Sequence, residues 1–251
     1  MFNPLDFPLL VLVVSLFILW IATWIGGTCR ALRPRMGEQR YNDFAFVLGA
    51  TLTLLGLIVG FAFSMAVNRY EQRKNFEEEE ANAIGTEYLR AELLPADTAI
   101  VVRASLQKYL AQRILWYETR SEKQIREINS QTSSLQTALW APVTESAAAR
   151  PTPVLALVAA GMNDVFNSQG YAQAAAWNRI PPGGWGLLFS ISIFCSILVG
   201  YIAHGKSMLL YMILPVALSL SLFLISDIDS PRRGLIHVRP QNLISLANSL
   251  R

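Results

Sequence analysis

The sequence has few of the residues on which metal sites, disulfide frameworks and soluble enzymes depend. Its 251 residues include only 2 cysteines and 2 histidines. Structural zinc sites need closely spaced Cys and His ligands, and disulfide frameworks need several cysteines, so we expect neither. Charged residues make up 16% of the chain and hydrophobic residues 53%, a balance too apolar for an ordinary soluble domain.

Catalytic and transport motifs are missing as well. The chain contains no P-loop, no GxSxG and no HExxH sequence. Its long apolar stretches contain no Asp, Glu, Lys, Arg or His, although ion-coupled transporters usually place such a residue near the bilayer middle. The formal net charge of +3 comes from scattered arginines rather than from a basic run. We therefore expect no enzyme, no cofactor, no metal site and no nucleic-acid partner.

Four apolar stretches are long enough to cross a lipid bilayer as helices, which takes about 20 residues. They cover residues 8–27, 44–67, 185–203 and 208–226. The first lacks the basic start of a signal peptide, so we expect it to be retained. Residues 204–207 join the last two stretches, which predicts a tight antiparallel hairpin. The sequence thus predicts an all-α membrane protein with four transmembrane helices.

A long polar segment, residues 68–182, is inserted between spans 2 and 3. No alternating strand pattern persists in it, so we expect a helical cytoplasmic domain. The helix of the second span should continue to about Leu94, where Pro95 stops it. Asp97 or Thr98 is the predicted cap of the next helix, and further helices are predicted at about 121–140 and 153–178, with 141–153 as a loop. The predicted parts are 1–67, 68–182, 183–226 and a cytoplasmic tail, 227–251.

The second span and its continuation carry an ordered line of side chains, which we call the stripe. At 100° per residue, its eight members fall within about 40° of one line along the helix. They are hydrophobic at membrane depth and mostly amide or carboxylate below it. Copies of such a helix around an axis would form a narrow apolar neck above a polar vestibule. The alternative is a plain membrane helix with a solvated charged end. The stripe consists of Thr53, Leu57, Phe61, Ser64, Asn68, Glu71, Asn75 and Glu79.

The same helix carries a motif of glycine, aromatic and basic residues. It reads Gly-Phe, then seven residues, Arg-aromatic, then two residues, Arg-Lys. This pattern resembles the second transmembrane helix of bestrophins, and the whole chain resembles the bacterial bestrophin-like membrane proteins. The members of the motif are Gly60, Phe61, Arg69, Tyr70, Arg73 and Lys74.

The resemblance implies an ion channel, a homopentamer that passes small inorganic ions through a pore lined by the second transmembrane helix. Leu57 and Phe61 match neck positions that are bulky and apolar in the family. Thr53 matches a third neck position, where the family usually has a larger apolar residue, so a tight constriction is less expected there. Bestrophins also follow their last span with an acidic calcium-binding clasp. Here Arg232 and Arg233 replace much of that acidity, so we expect no calcium site.

Lys and Arg residues near the span ends are slightly more numerous on the side of the helical domain than on the side of the short loops. This distribution favours a cytoplasmic domain and cytoplasmic amino and carboxyl termini in the bacterial inner membrane, as the resemblance also implies. A membrane-anchored scaffold, whose helical domain binds a cytoplasmic partner, is the alternative to a channel. It would give no conductance and would co-purify with a protein.

Other charged groups have simpler structural interpretations. Glu77–Glu80 sweep about 300° around a helix, so at most two of them can face a pore, and a solvated face is the simpler interpretation. Arg69 and Arg73 lie off the stripe and should pair with acids of adjacent helices. Asp227 and Asp229, together with the two arginines that follow, are predicted to form a polar anchor and cap at a membrane exit.

Overall fold

A computed structural model describes residues 4–31, 37–202 and 208–250 of the chain. Every regular element in these ranges is helical, which confirms the predicted all-α fold. Two short 3-10 turns, Pro4–Asp6 and Ala91–Leu93, accompany eight α-helices. The helices are α1 Pro8–Ala31, α2 Glu38–Arg90, α3 Ala96–Glu118, α4 Glu122–Ala149, α5 Pro153–Trp177, α6 Pro182–Ile202, α7 Met208–Asp229 and α8 Gln241–Ser249.

In the described residues four helical segments are long and apolar enough to cross a membrane, and each overlaps one of the four predicted spans. Residues 28–43, which separate the first two predicted spans and read as a polar connector, are helical at both ends, because α1 runs to Ala31 and α2 begins at Glu38. Glu, Gln and Arg at this boundary are good helix formers, so polarity alone does not end a helix there. The predicted hairpin turn at 204–207 lies outside the described residues.

The chain divides into two compact units, and the first comprises residues 1–69 and 179–237. Within it α1 packs against α6 through glycine. A Cβ atom on Gly26 would lie 2.1 Å from the Ile197 carbonyl oxygen, and one on Gly200 would lie 1.9 Å from the Thr23 carbonyl oxygen. The missing side chains therefore let the two backbones touch, as small residues do in membrane helix pairs.

The second unit comprises residues 70–178 and 238–251 and has its own apolar core. The loop predicted at 141–153 is wrong, because α4 continues through Pro142 to Ala149. An interior proline costs a helix about 3 kcal/mol. Leu139 and Val143, one turn apart across that proline, are both buried in the core and hold the helix in place. The buried aliphatic residues of this core include Ile84, Val102, Leu106, Leu139, Met162 and Leu243.

Two details of the second unit differ from prediction. α3 begins directly after Pro95, which occupies the cap position without a side-chain hydrogen bond, so the predicted caps Asp97 and Thr98 are wrong. The fixed φ of proline lets the helix begin at once.

The tail also contains α8, an unpredicted helix that is too short to be stable alone and depends on packing. α5 begins close to its predicted position and is capped by the Thr152 side chain, which accepts from the Leu155 amide.

Candidate functional site

Among the candidate membrane spans of the described residues, the one in α2 is the least covered by the rest of the chain. Only 6% of its most apolar stretch is buried, compared with 33% for the span in α1 and 44% for the span in α7. The buried positions share one side of the helix. At 100° per residue their mean direction lies about 160° from Leu57, opposite the stripe. This covered face contains Leu55, Ala62, Ala66, Arg73, Glu77, Glu80, Ile84 and Glu87.

All eight residues of the predicted stripe lie on the opposite, open face, and all are exposed on a single chain. Leu57 is 54% exposed and Phe61 is 62% exposed, which is unusual for large apolar side chains unless lipid or a protein partner surrounds them. The Thr53 hydroxyl donates to the Gly49 carbonyl oxygen at 2.9 Å. The Thr53 hydroxyl is therefore already bonded within its own helix, and this level of the stripe is less polar than the sequence alone indicates.

The lower part of the stripe continues on the same side without a break, because α2 is one helix from Glu38 to Arg90. Glu71 and Glu79 are exposed there together with the amide and hydroxyl side chains of the stripe, and Glu78 is an exposed neighbour. The structure brings these residues into one line along one chain. A ring of them requires further copies of α2 around an axis.

The basic residues of the motif divide between the two sides of α2. Arg69 Nη1 lies 3.4 Å from Asp229 Oδ1 at the end of α7, so the predicted pairing of Arg69 is confirmed. Arg73 is buried on the covered face, whereas Lys74 is exposed. Gly60 has open space where a side chain would be. Tyr70 is half-buried.

Asp229 and Asp227 hold the chain together where α7 ends, which confirms the predicted polar cap for these two acids. Asp229 accepts from the Ile180 amide with both oxygens at 3.2 Å, and Arg179 Nε lies 3.6 Å from its Oδ2. Arg179 also pairs with Asp6. Asp227 accepts from the backbone amides of residues 235 and 236 at 2.7 and 2.8 Å. These carboxylates face amide and guanidinium donors. No group of three or more potential metal ligands occurs in the described part of the chain.

The run Glu77–Glu80 splits between the two faces, so the predicted solvated face is wrong for two of its four members. Glu78 and Glu79 are exposed, whereas Glu77 and Glu80 are buried. Glu77 Oε1 accepts from the amides of Asn242 and Leu243 at 2.9 and 3.0 Å, and Oε2 accepts from Asn242 Nδ2 at 2.6 Å. A carboxylate at these first amides caps α8 and complements its dipole.

Glu80 forms a buried ion pair. Arg113 Nε donates to Glu80 Oε1, the Tyr117 hydroxyl donates to Oε2 at 3.1 Å, and both charged side chains are 0% exposed. The Arg113 guanidinium also lies over the Trp116 ring, 4.5 Å from its centre. The sequence contains a signal for this site. At 100° per residue, the buried Glu77 and Glu80 lie on the same side of α2 as Ala62 and Ala66.

These observations agree with comparisons against known proteins. A family model described as the bestrophin-like domain matches residues 15–243 of the chain. The chain belongs to the bestrophin-like family. No curated protein is significantly similar to it in sequence.

Solved structures place this bestrophin-like chain in the same fold. A variant of a bacterial bestrophin homologue from Klebsiella pneumoniae superposes with a TM-score of 0.64 at 13% identity, over 95% of this chain and 96% of that one. Another structure of a Klebsiella pneumoniae bestrophin homologue gives a TM-score of 0.63 at 14% identity, over 96% of this chain and 95% of that one. A structure described as a membrane protein variant gives 0.64 at 12% identity, with 95% of each chain covered. At such low identity the likeness shows the fold alone. The family match and the apolar helices make this bestrophin-like chain a membrane protein.

Proposed function

We propose that this bestrophin-like protein is an oligomeric ion channel whose pore is lined by the open face of α2. The oligomer is a pentamer, as the resemblance to bestrophins implies. Thr53, Leu57 and Phe61 form the neck. Conduction is passive. The vestibule is formed by Ser64, Asn68, Glu71, Asn75 and Glu79.

The observation that carries this proposal is the division of α2 into two faces. Its membrane part is the least covered span in the described part of the chain, and within that part the covered face consists of the small or aliphatic residues Leu55, Ala62 and Ala66. Both faces change from apolar to polar along the helix, but the polar residues of the open face stay exposed, whereas Arg73, Glu77 and Glu80 on the covered face are buried. A helix that contacts only lipid needs no face that is apolar at membrane depth, polar beyond it and uncovered throughout. A helix that packs against its own chain on one side and faces a shared axis on the other does need such a face.

The neck would gate conduction by excluding water. Leu57 and Phe61 offer water no hydrogen bonds, and the Thr53 hydroxyl is bonded to its own backbone. A ring of such side chains therefore favours a dry state that ions cross only when the ring widens. The neck needs no titratable residue.

The vestibule would favour cations mildly. On the open face Glu71 and Glu79 are exposed, whereas Arg73 is buried on the opposite face. Lys74 is exposed but lies about 100° off the stripe, so its field is partly screened within about one Debye length. Carboxylates that face a low-dielectric vestibule attract cations more strongly than they do in bulk water.

The proposed topology places residues 68–182, the amino end and the tail from 227 in the cytoplasm of a bacterial inner membrane. Residues 1–67 and 183–226 then form the membrane part. Membrane-impermeant labelling of single introduced cysteines tests this arrangement. Cysteines beside Arg35 or Lys206 should react in intact cells, and a cysteine beside Glu145 should not. Reaction beside Glu145 would contradict the topology.

The channel proposal is tested by two measurements on purified protein. The mass of the detergent-solubilised particle should correspond to a ring of copies, and reconstituted protein should give unitary currents in planar bilayers. A monomer or dimer would rule out a central pore. Oligomers without current, together with a co-purifying protein, would favour the scaffold alternative.

A further inference from the structure

Glu87 is a buried carboxyl group without a hydrogen-bond donor in the described part of the chain. It lies on the covered face of α2 in the second unit and is 0% exposed. Neither of its oxygens accepts a hydrogen bond from a residue in the described ranges. Glu77 and Glu80 on the same face are bound by the start of α8 and by Arg113. A buried carboxylate without hydrogen-bond donors is strongly disfavoured in its charged form. The surroundings of Glu87 therefore differ from those of Glu77 and Glu80.

The Glu87 carboxyl group lies directly on the backbone of α5. A Cβ atom on Gly161 would be 2.0 Å from Glu87 Oε2 and 2.5 Å from Arg90 Nη1. Gly161 is itself buried, and its missing side chain is the space that these two groups occupy. The carboxyl and guanidinium groups therefore share one small site against α5.

Burial dominates the electrostatics of this site. Desolvation raises the pKa of Glu87 to about 8, while the Arg90 charge lowers it and the Asp164 charge on α5 raises it further. Among the other elements of this unit, Arg103 on α3 donates to a backbone carbonyl of α2 and to Glu92, and α8 carries no ionisable side chain. Arg90 is therefore the cation beside an ionised Glu87, while Arg103 is already engaged with other acceptors.

The sign of the pH dependence follows from the direction of the shift. Because the pKa is raised from 4.5 to about 8, folded Glu87 keeps its proton at neutral pH while the unfolded chain loses it. The folded state therefore loses stability as the pH rises between these two values, and the loss is complete above the higher one.

We propose that Glu87 is a proton-binding site whose ionisation loosens the contact between α2 and α5. Once the proton leaves, the carboxylate needs donors, and Arg90 is the nearest cation. A direct hydrogen bond to Arg90, or to entering water, requires the carboxylate or the guanidinium to shift over Gly161, which disturbs the packing there. Since α2 is also the proposed pore helix, alkaline pH would alter conduction. This last step rests on the proposed function, whereas proton binding and loosening do not.

The test uses full-length oligomer in lipid nanodiscs and two readouts that require no current. Infrared difference spectra report the C=O band of a protonated carboxylic acid, and hydrogen–deuterium exchange reports opening of α5 around Gly161. We expect a carboxylic acid band that disappears near pH 8 in wild type and is missing in Glu87→Gln. Exchange in α5, corrected for its intrinsic pH dependence, should rise several-fold above that pH in wild type only. Glu127→Gln, exposed on α4, is the matched control and should behave as wild type.

A second variant tests the geometry. Gly161→Ala places a methyl group where the carboxyl lies, so Glu87 should move toward water and its titration should shift toward its ordinary range near 4.5. An unchanged band in Glu87→Gln, or α5 exchange that does not depend on pH in wild type, would overturn the proposal. If both readouts behave as expected but no current appears at any pH, the proton site stands and the channel proposal fails.

Discussion

The acidic residues on the two faces of α2 have opposite surroundings although they are neighbours in sequence. Glu79 is exposed on the open face, and Glu80 is completely buried and paired with Arg113 on the covered face. The difference arises from a rotation of about 100° per residue along one helix. The covered glutamates bind other parts of the chain, and the exposed ones supply charge to a shared surface. The same residue type thus serves structure on one side and the proposed ion pathway on the other.

Glu80→Ala should have the largest effect, because it leaves Arg113 charged and buried without its partner. Removing one member of a buried ion pair costs about 3–5 kcal/mol. Thermal unfolding of the detergent-solubilised protein should show a large fall in the melting temperature. Glu79→Ala, one residue away on the open face, should change stability by no more than about 0.5 kcal/mol. Equal destabilisation by the two variants would contradict the assignment of faces.

Glu77→Gln should weaken the attachment of α8 to α2. The amide side chain keeps one oxygen but loses the charge that three donors of Asn242 and Leu243 share, and hydrogen bonds to a charged group are worth about 1.5–3 kcal/mol. Limited proteolysis should then cut the chain after residue 238 faster than in wild type. Glu78→Gln, which is exposed, serves as the control. No change in the cleavage rate for Glu77→Gln would show that apolar packing alone holds α8.

Phe61→Ala tests the open face at membrane depth. If Phe61 rings a hydrophobic constriction, removing its ring lets water enter the neck, and unitary conductance or open probability should rise several-fold. Phe63 is the matched control, since it lies about 160° from Phe61 around the helix. Its truncation should affect stability more than conduction. Identical currents from well-folded wild type and Phe61→Ala would refute the neck assignment.

The smallest expected effect concerns selectivity. Wild-type protein in a salt gradient should give a reversal potential slightly on the cation side. Glu71→Gln combined with Glu79→Gln should move it toward zero or the anion side, because the exposed carboxylates are lost. Replacing Glu145, an exposed acid on α4, by Gln is the control. A wild-type potential near the anion limit, or one that the double variant leaves unchanged, would show that these carboxylates do not set selectivity.

Local periodicity was sufficient for much of the fold. The spans, the continuation of the second span into the polar segment and the all-helical domain follow from apolar runs and from the spacing of helix breakers such as Pro95. The stripe follows from the angle between successive residues, and the exposure of its eight members on one side of the chain agrees with it. Its role in a pore stays a prediction, because a ring requires contacts between chains.

The sequence by itself determined which residues of α2 share a face, since 100° per residue depends only on backbone geometry. Tertiary structure alone decided which of those faces is covered. The partners of Glu80 and Glu77 lie 33 and 165 residues away along the chain, and no local pattern indicates them. The same holds for Pro142, which stays helical because Leu139 and Val143 are held in the core, and for Glu87, whose place depends on a glycine in α5. Whether a charge is solvated, paired or kept protonated depends on what packs against it, and that is a property of the folded chain.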